Sequence, residues 1–507
     1  MKTKCIMIQG TASSVGKSII TAGFCRVFKQ DGYKVAPFKS QNMALNSFIT
    51  RDGREMGRAQ VVQAEAAGIE PSVEMNPILL KPTTDKKAQV IINGEVYKNM
   101  SAAQYHEFKP ELAGMVRDTY ERLARKNDIV VIEGAGSPAE INLRDKDIVN
   151  MGMAEIADAP VIIVGDIDKG GVFAALAGTI LLLSEDERKR VKGVVINKFR
   201  GDLGILEPGL QMLEDIIHVP VLGVLPYTKL NIEDEDSLAE KFAQRDKEIK
   251  AEIDIAIIKL PHMSNFTDLN ALEHVQGVRV RYVEQLEEIR EPDLILLPGT
   301  KNTMEDLIHI RKNGIEEEIK RLNGKGTAVF GICGGYQMLG RDISDPHKTE
   351  SDLLKSEGMG LLNTSTVFRQ KKVTTQVEGI VTEDEGMLKG LGSMRLEGYE
   401  IHMGTTEYME GCIPFMAILK AGDSSPEAIG GVRNAAGNVF GTYLHGIFDN
   451  MPFTSGFINN LRETKGMKKV HEGEKDFKAF KEKQYDMLAD MIRENLDMKR
   501  VYGILGL

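Results

Sequence analysis

Short apolar runs recur along the chain, each closing on glycines or small polar residues and then giving way to a stretch with apolar positions three and four apart. Buried parallel strands followed by covering helices produce this alternation. Cys5-Ile6-Met7-Ile8, Val35-Ala36-Pro37-Phe38-Lys39, Asp128 to Glu133, Pro160 to Asp166 and Val191 to Lys198 predict strands in the first part of the chain. Asp254 to Ile258, Asp293 to Leu297 and Ala328 to Ile332 predict them in the second. The expected fold is α/β, with two doubly wound parallel-sheet domains. Residues 1–230 form the first domain in this reading and 252–450 the second. A charged linker at 231–251 joins them, and 451–507 is a helical extension that includes an amphipathic helix from Phe477 to Lys499. The longest apolar run, Gly170 to Leu183, is too short to span a bilayer and reads as a buried helix.

At 507 residues the chain exceeds what one hydrophobic core supports. The net charge of −10, with no block of Lys or Arg, argues against a nucleic-acid footprint and favours small-molecule partners. Cys5, Cys25, Cys333 and Cys412 have neither disulfide-framework nor metal-site spacing. With no signal-peptide core and no membrane span in the pattern, a cytoplasmic protein is expected.

The first strand runs into Gln9-Gly10-Thr11-Ala12-Ser13-Ser14-Val15-Gly16-Lys17-Ser18, and Ile19, Ile20 and Ala22 then open a helix. Strand, glycine loop, Lys-Ser and helix together form a phosphate-binding loop. Its N–H groups and the helix N-terminus favour anions, Lys17 reaches the terminal phosphates, and Ser18 offers a hydroxyl to Mg2+. ATP and Mg2+ are the expected ligands, and no tightly bound organic cofactor is indicated. The first glycine, Gly10, lies one position early, and Thr11 stands where the usual pattern has glycine. Lys39 and Glu133 end predicted strands, where parallel sheets present residues to the ligand crevice, so both are expected at the phosphates and Glu133 at the metal.

This loop resembles that of the dethiobiotin synthetase branch of P-loop enzymes, which activate a carboxylate by phosphorylation. The resemblance implies that Asn197, in an Asn-Lys pair after a strand, lies near the adenine. Gln41, Asn42 and Asn46, in the amide-rich stretch Ser40 to Ser47, suit a polar, carboxamide-bearing substrate.

Gly331-Ile332-Cys333-Gly334-Gly335-Tyr336-Gln337 places a cysteine on a predicted strand-to-helix turn. Glycines there permit strained backbone angles and close substrate approach, and neighbouring N–H groups can stabilise an oxyanion. The stretch resembles the nucleophile elbow of triad-class glutamine amidotransferases, and Tyr443-Leu444-His445-Gly446 resembles their histidine motif. The resemblance implies that Cys333 releases ammonia from glutamine with His445 as base and then acid, and that Gly299 and Gly334 donate to the oxyanion. Ile447 occupies the place where many such enzymes carry a glutamate two residues after the histidine, so a Cys333–His445 dyad is expected, with slow glutamine hydrolysis until the synthetase ligands bind. The loop, the stretch Phe38 to Ser47 and the Cys domain together resemble the cobyric acid synthase family of the cobalamin pathway. That implies ATP- and glutamine-dependent amidation of the b, d, e and g carboxylates of adenosylcobyrinic acid a,c-diamide. Two alternatives are the sister a,c-diamide synthases and ParA/MinD-like ATPase switches. The switches carry a lysine where this chain has Ala12, and they leave the Cys–His half unexplained.

Overall fold

Val- and Ile-rich runs buried on both faces build a six-stranded, wholly parallel sheet ordered Val221–Pro226, Val191–Phe199, Val161–Asp166, Lys4–Gly10, Ile129–Glu133, Val35–Phe38. The computed structural model describes residues 3–84, 87–232, 251–419, 426–470 and 477–507. The chain divides into two units. Met1–Ala44, Glu55–Lys241 and Lys478–Leu507 form the first, and Leu45–Arg54 with Phe242–Phe477 form the second. Most of the stretch expected as the linker, 233–250, lies outside the described residues.

Helix Lys17–Gln30 packs Phe24 and Phe28 into the core of the first unit, and Tyr485, Leu488 and Ile492 of helix Phe477–Asn495 join the same core. The stretch expected as one C-terminal extension is therefore divided. Helix Met451–Thr464 contributes Phe453 and Phe457 to the core of the second unit, whereas 478–507 belongs to the first. The single helix expected over 477–499 is two, because the Asp497 side chain accepts from Arg500 N and caps a new helix, Met498–Leu505. Helix Val172–Leu182 is only partly buried: Phe173, Leu181 and Leu182 are exposed, contrary to the buried helix expected there.

Residues 41–101 hold a second small sheet, Gln41–Met43, Ile78–Thr84, Lys87–Ile92 and Glu95–Ser101, in that order. Asn93 and Gly94, both at positive φ, turn its hairpin. The second unit holds the expected parallel sheet and extends it with antiparallel strands. Val278–Val283, Ile253–Ile258, Leu294–Leu297, Ala328–Ile332 and Val439–Thr442 are parallel neighbours. Beyond Val439–Thr442 the sheet continues through antiparallel pairs with Pro426–Asn434, Cys412–Leu419 and Thr364–Val381. No crossover helix is needed where neighbouring strands run antiparallel.

Among the described residues no helix is long and apolar enough to cross a membrane.

Candidate active sites

In the first unit, strand Lys4–Gly10 delivers the phosphate loop to the start of helix Lys17–Gln30. Gly16 adopts φ 96°, and a Cβ there would come within 2.2 Å of Asn197 Nδ2, so only glycine fits the last bend of the loop. Lys17 Nζ donates to Ala12 O at 2.8 Å, tying the lysine across the loop.

Glu133 organises the polar floor beside it. Its Oε1 accepts from Ser18 Oγ and from Lys39 Nζ, each at 2.8 Å, and its Oε2 accepts from Gln63 Nε2 at 2.5 Å and Gln60 Nε2 at 3.3 Å. Burial alone would raise the pKa of this carboxyl. Lys39, with the hydrogen bonds from Gln63 and Ser18, outweighs burial and holds it below the ordinary value. A charged carboxylate next to a serine hydroxyl is a hard oxygen pair of the kind that suits magnesium, which takes its remaining ligands from phosphate and water. The Ser18, Lys39 and Glu133 expectations thus meet at one point. Gln60 and Gln63 escaped sequence reasoning. Two amides three apart in the otherwise largely apolar helix Arg58–Ala67 were the available signal.

Other expected residues are engaged differently. Thr11 N donates to Val164 O at 2.9 Å, so its N–H is spent on the neighbouring strand. Asn197 Nδ2 donates to Val15 O at 2.9 Å and braces the phosphate loop. Gln41 Oε1 accepts from Tyr105 Oη at 2.7 Å, and Asn42 Nδ2 donates to Gln60 Oε1 at 3.2 Å. Asn46 belongs to the second unit, where its Oδ1 accepts from Phe266 N at 3.2 Å.

In the second unit, register brings distant residues together. Ile332 pairs with Thr442 and Gly331 with Leu297, so the chain emerges from three adjacent strand ends at Gly299, Cys333 and His445. Parallel sheets place sites at these carboxyl ends. Cys333 has φ 50° and ψ −107°, a conformation that costs a non-glycine residue about 1–3 kcal/mol. The turn is this sharp because Gly335 lies on Leu297, where a Cβ would come within 2.0 Å of its carbonyl oxygen. Cys333 N donates to Thr442 O at 2.9 Å, and the thiol points to Ile401 O at 3.6 Å. A Cβ on Gly299 would come 3.3 Å from His445 Cε1, which places that peptide against the imidazole. One on Gly334 would come 3.0 Å from Thr300 N, so the two expected oxyanion-hole glycines flank the same turn. That turn is pinned by buried Asp306, which accepts from the Thr300 hydroxyl and, at 3.1 Å, from His262 N.

The expected Cys–His dyad is corrected. His445 Nδ1 lies 2.5 Å from Asp268 Oδ2, and Gly446 N donates to Asp268 Oδ1 at 3.2 Å. Burial pulls the imidazole pKa down, but the Asp268 carboxylate and nearby Cys333 outweigh it and push it up to about 10. The imidazole thus has an orienting carboxylate. Asp268 was missed because it sits on Phe266–His274, 177 residues from His445, with no local pattern to mark it.

Comparison with known proteins gives a match of residues 6–238 to the CobQ/CobB/MinD/ParA nucleotide binding domain family and of 254–453 to the CobB/CobQ-like glutamine amidotransferase domain family. In class, the chain is a nucleotide-binding unit combined with a glutamine amidotransferase. It is 55% identical over 501 residues to the cobyric acid synthase of Thermoanaerobacter sp. (strain X514), covering 99% of this chain and 98% of that protein. Identity is 56% to those of Clostridium botulinum (strain 657 / Type Ba4), covering 99% of each, and of Alkaliphilus metalliredigens (strain QYMF), covering 98% of this chain and 99% of that protein. The chain belongs to the cobyric acid synthase family and is an ATP-using, glutamine-dependent ligase of cobalamin biosynthesis. This full-length likeness does not favour a ParA/MinD-like switch.

Proposed function

We propose that the chain amidates the b, d, e and g side-chain carboxylates of adenosylcobyrinic acid a,c-diamide, with ATP as activating reagent and glutamine as nitrogen source. The observation that supports the glutamine- and ATP-dependent part of this reading is the buried His445–Asp268 pair in the unit that holds the Cys333 turn, in a chain that also holds a phosphate loop floored by Glu133. Cys333 Sγ attacks the side-chain amide carbon of glutamine, and the oxyanion forms against the Gly299 and Gly334 N–H groups. His445 passes the thiol proton to the departing ammonia, leaving a thioester. It then takes a proton from water, which cleaves the thioester to glutamate. Asp268 holds the imidazole by Nδ1 throughout and supports its charged form.

At the phosphate loop, Lys17 orients the γ-phosphoryl group for transfer to a carboxylate. Ammonia attacks the resulting acyl phosphate, and phosphate leaves. Ser18 and Glu133 are the residues that would hold magnesium, which supplies charge neutralisation on the phosphates. Gln41 and Asn42 offer amides to the corrinoid.

The test follows cobyrinic a,c-diamide by mass with ATP and either glutamine or an ammonium salt. Wild type yields the change of four acid-to-amide conversions from both nitrogen sources. Cys333→Ala is expected to do so from ammonium only, and equal loss with ammonium would refute this division of labour.

A further inference from the structure

Residues 45–54 precede the amidotransferase domain in sequence by some two hundred positions, yet they belong to the second unit, while the residues on either side of them belong to the first. They pack around the partners of His445 and Cys333. The Tyr399 ring stacks on the His445 imidazole, with centroids 5.1 Å apart and planes 13° apart. The two residues also exchange backbone hydrogen bonds, Tyr399 N to His445 O at 3.2 Å and His445 N to Tyr399 O at 2.9 Å. On its far side Tyr399 is held by the segment: its hydroxyl donates to Ser47 O at 3.2 Å, and Phe48 meets its ring edge-on at 5.5 Å.

Three further contacts extend the same wall. Ser47 N donates to Asn265 Oδ1 at 3.0 Å, and Asn265 Nδ2 lies 3.5 Å from His445 Nδ1. Phe266 N donates to Asn46 Oδ1, which fixes the first residue of the turn of chain that carries Asp268. Ile49 packs with Tyr399 and Ile401, and Ile401 O is the group to which the Cys333 thiol points. One short segment therefore touches the supports of the thiol, the imidazole and the carboxylate.

We propose that residues 45–54 are a positioning element of the glutaminase site, acting through Tyr399 to hold the His445 ring in line with Cys333. Buried aromatic contact of this kind sets ring orientation, and displacement of a catalytic group by about 1 Å typically costs 10^2-fold in rate. The inference rests on reading Cys333 and His445 as the glutaminase pair.

The experiment measures steady-state glutaminase kcat and KM on the full chain, with ammonium-dependent synthesis as the control. Phe48→Ala is expected to lower kcat roughly 10- to 100-fold with KM for glutamine within about twofold, and to leave ammonium-dependent synthesis within about twofold of wild type. Phe48→Leu, which restores apolar bulk, is expected to recover most of that loss. Wild-type kcat in Phe48→Ala, a change confined to KM, or an equal loss with ammonium overturns the proposal. If Phe48→Ala does not accumulate as folded protein, Tyr399→Phe decides. That variant keeps the stack and deletes the bond to Ser47 O: a several-fold fall in kcat at constant KM supports the element, and an unchanged kcat rejects it. Glutaminase activity surviving in Cys333→Ala would instead strike the underlying reading, a result separable from both.

Discussion

The two sites use the same architectural position in opposite ways. Both lie past the carboxyl ends of parallel strands, but the nucleotide site gathers four donors, Ser18, Lys39, Gln60 and Gln63, onto one carboxylate. The amidotransferase site relies on single partners: the thiol points to Ile401 O, and the His445 imidazole rests on one carboxylate, Asp268. A convergent network tolerates the loss of a member better than a chain of single dependences does. The difference also matches the chemistry: charge must be held in place at the phosphates, whereas a proton must be moved at the cysteine.

Mutation should expose this contrast. Lys17→Ala removes the lysine of the phosphate loop itself and is expected to abolish product from either nitrogen source; full ammonium-dependent activity in that variant would refute the phosphate-loop assignment. Asp268→Asn removes the one carboxylate on which His445 rests. Glutaminase kcat is expected to fall roughly 10^3- to 10^4-fold, with ammonium-dependent synthesis spared, and a fall of less than tenfold would show that the carboxylate is dispensable. Gln63→Ala deletes one of the four donors on Glu133, worth about 1.5–3 kcal/mol as a hydrogen bond to a charged group but cushioned by the other three. Synthesis is expected to drop less than tenfold, and a loss as deep as that of Asp268→Asn would erase the distinction between the sites.

The smallest effect is on stability. The folded pKa of His445, about 10, lies above its unfolded value, so the imidazolium–Asp268 contact contributes fully below about pH 6.5 and is lost as pH rises through about 10. Thermal unfolding monitored from pH 6 to 10 is expected to show a decline at the alkaline end that Asp268→Asn flattens.

How much of each site could be read beforehand follows from the same contrast. The phosphate loop is contiguous, from Gly10 to Ser18, and its two distant partners stand at strand ends that apolar patterning marks. Lys39 and Glu133 could therefore be placed before their contact was seen. Cys333 announced itself through the surrounding glycines, and its positive φ is what those glycines accommodate. Asp268 and Tyr399 carried no comparable mark, because what makes each important is proximity created by strand register and by a chain crossing from residues 45–54. The mixed character of the second sheet was hidden for a related reason. Apolar runs such as Cys412–Leu419 report burial but not strand direction, which depends on connections and pairing. The hairpin over 87–101 was legible through Asn93-Gly94 and went unread.

The division of the chain has a consequence for how the enzyme comes into being. Tyr485, Leu488 and Ile492 are core residues of the first unit, yet they leave the ribosome only after every residue of the second. At about 5–20 residues per second, the nucleotide unit waits tens of seconds for the helix that closes its core. The amidotransferase unit has by then been synthesised in full, with residues 45–54 available to it from the start. A chain cut short before residue 478 thus carries Cys333, His445 and Asp268 but a nucleotide unit whose core lacks Tyr485, Leu488 and Ile492.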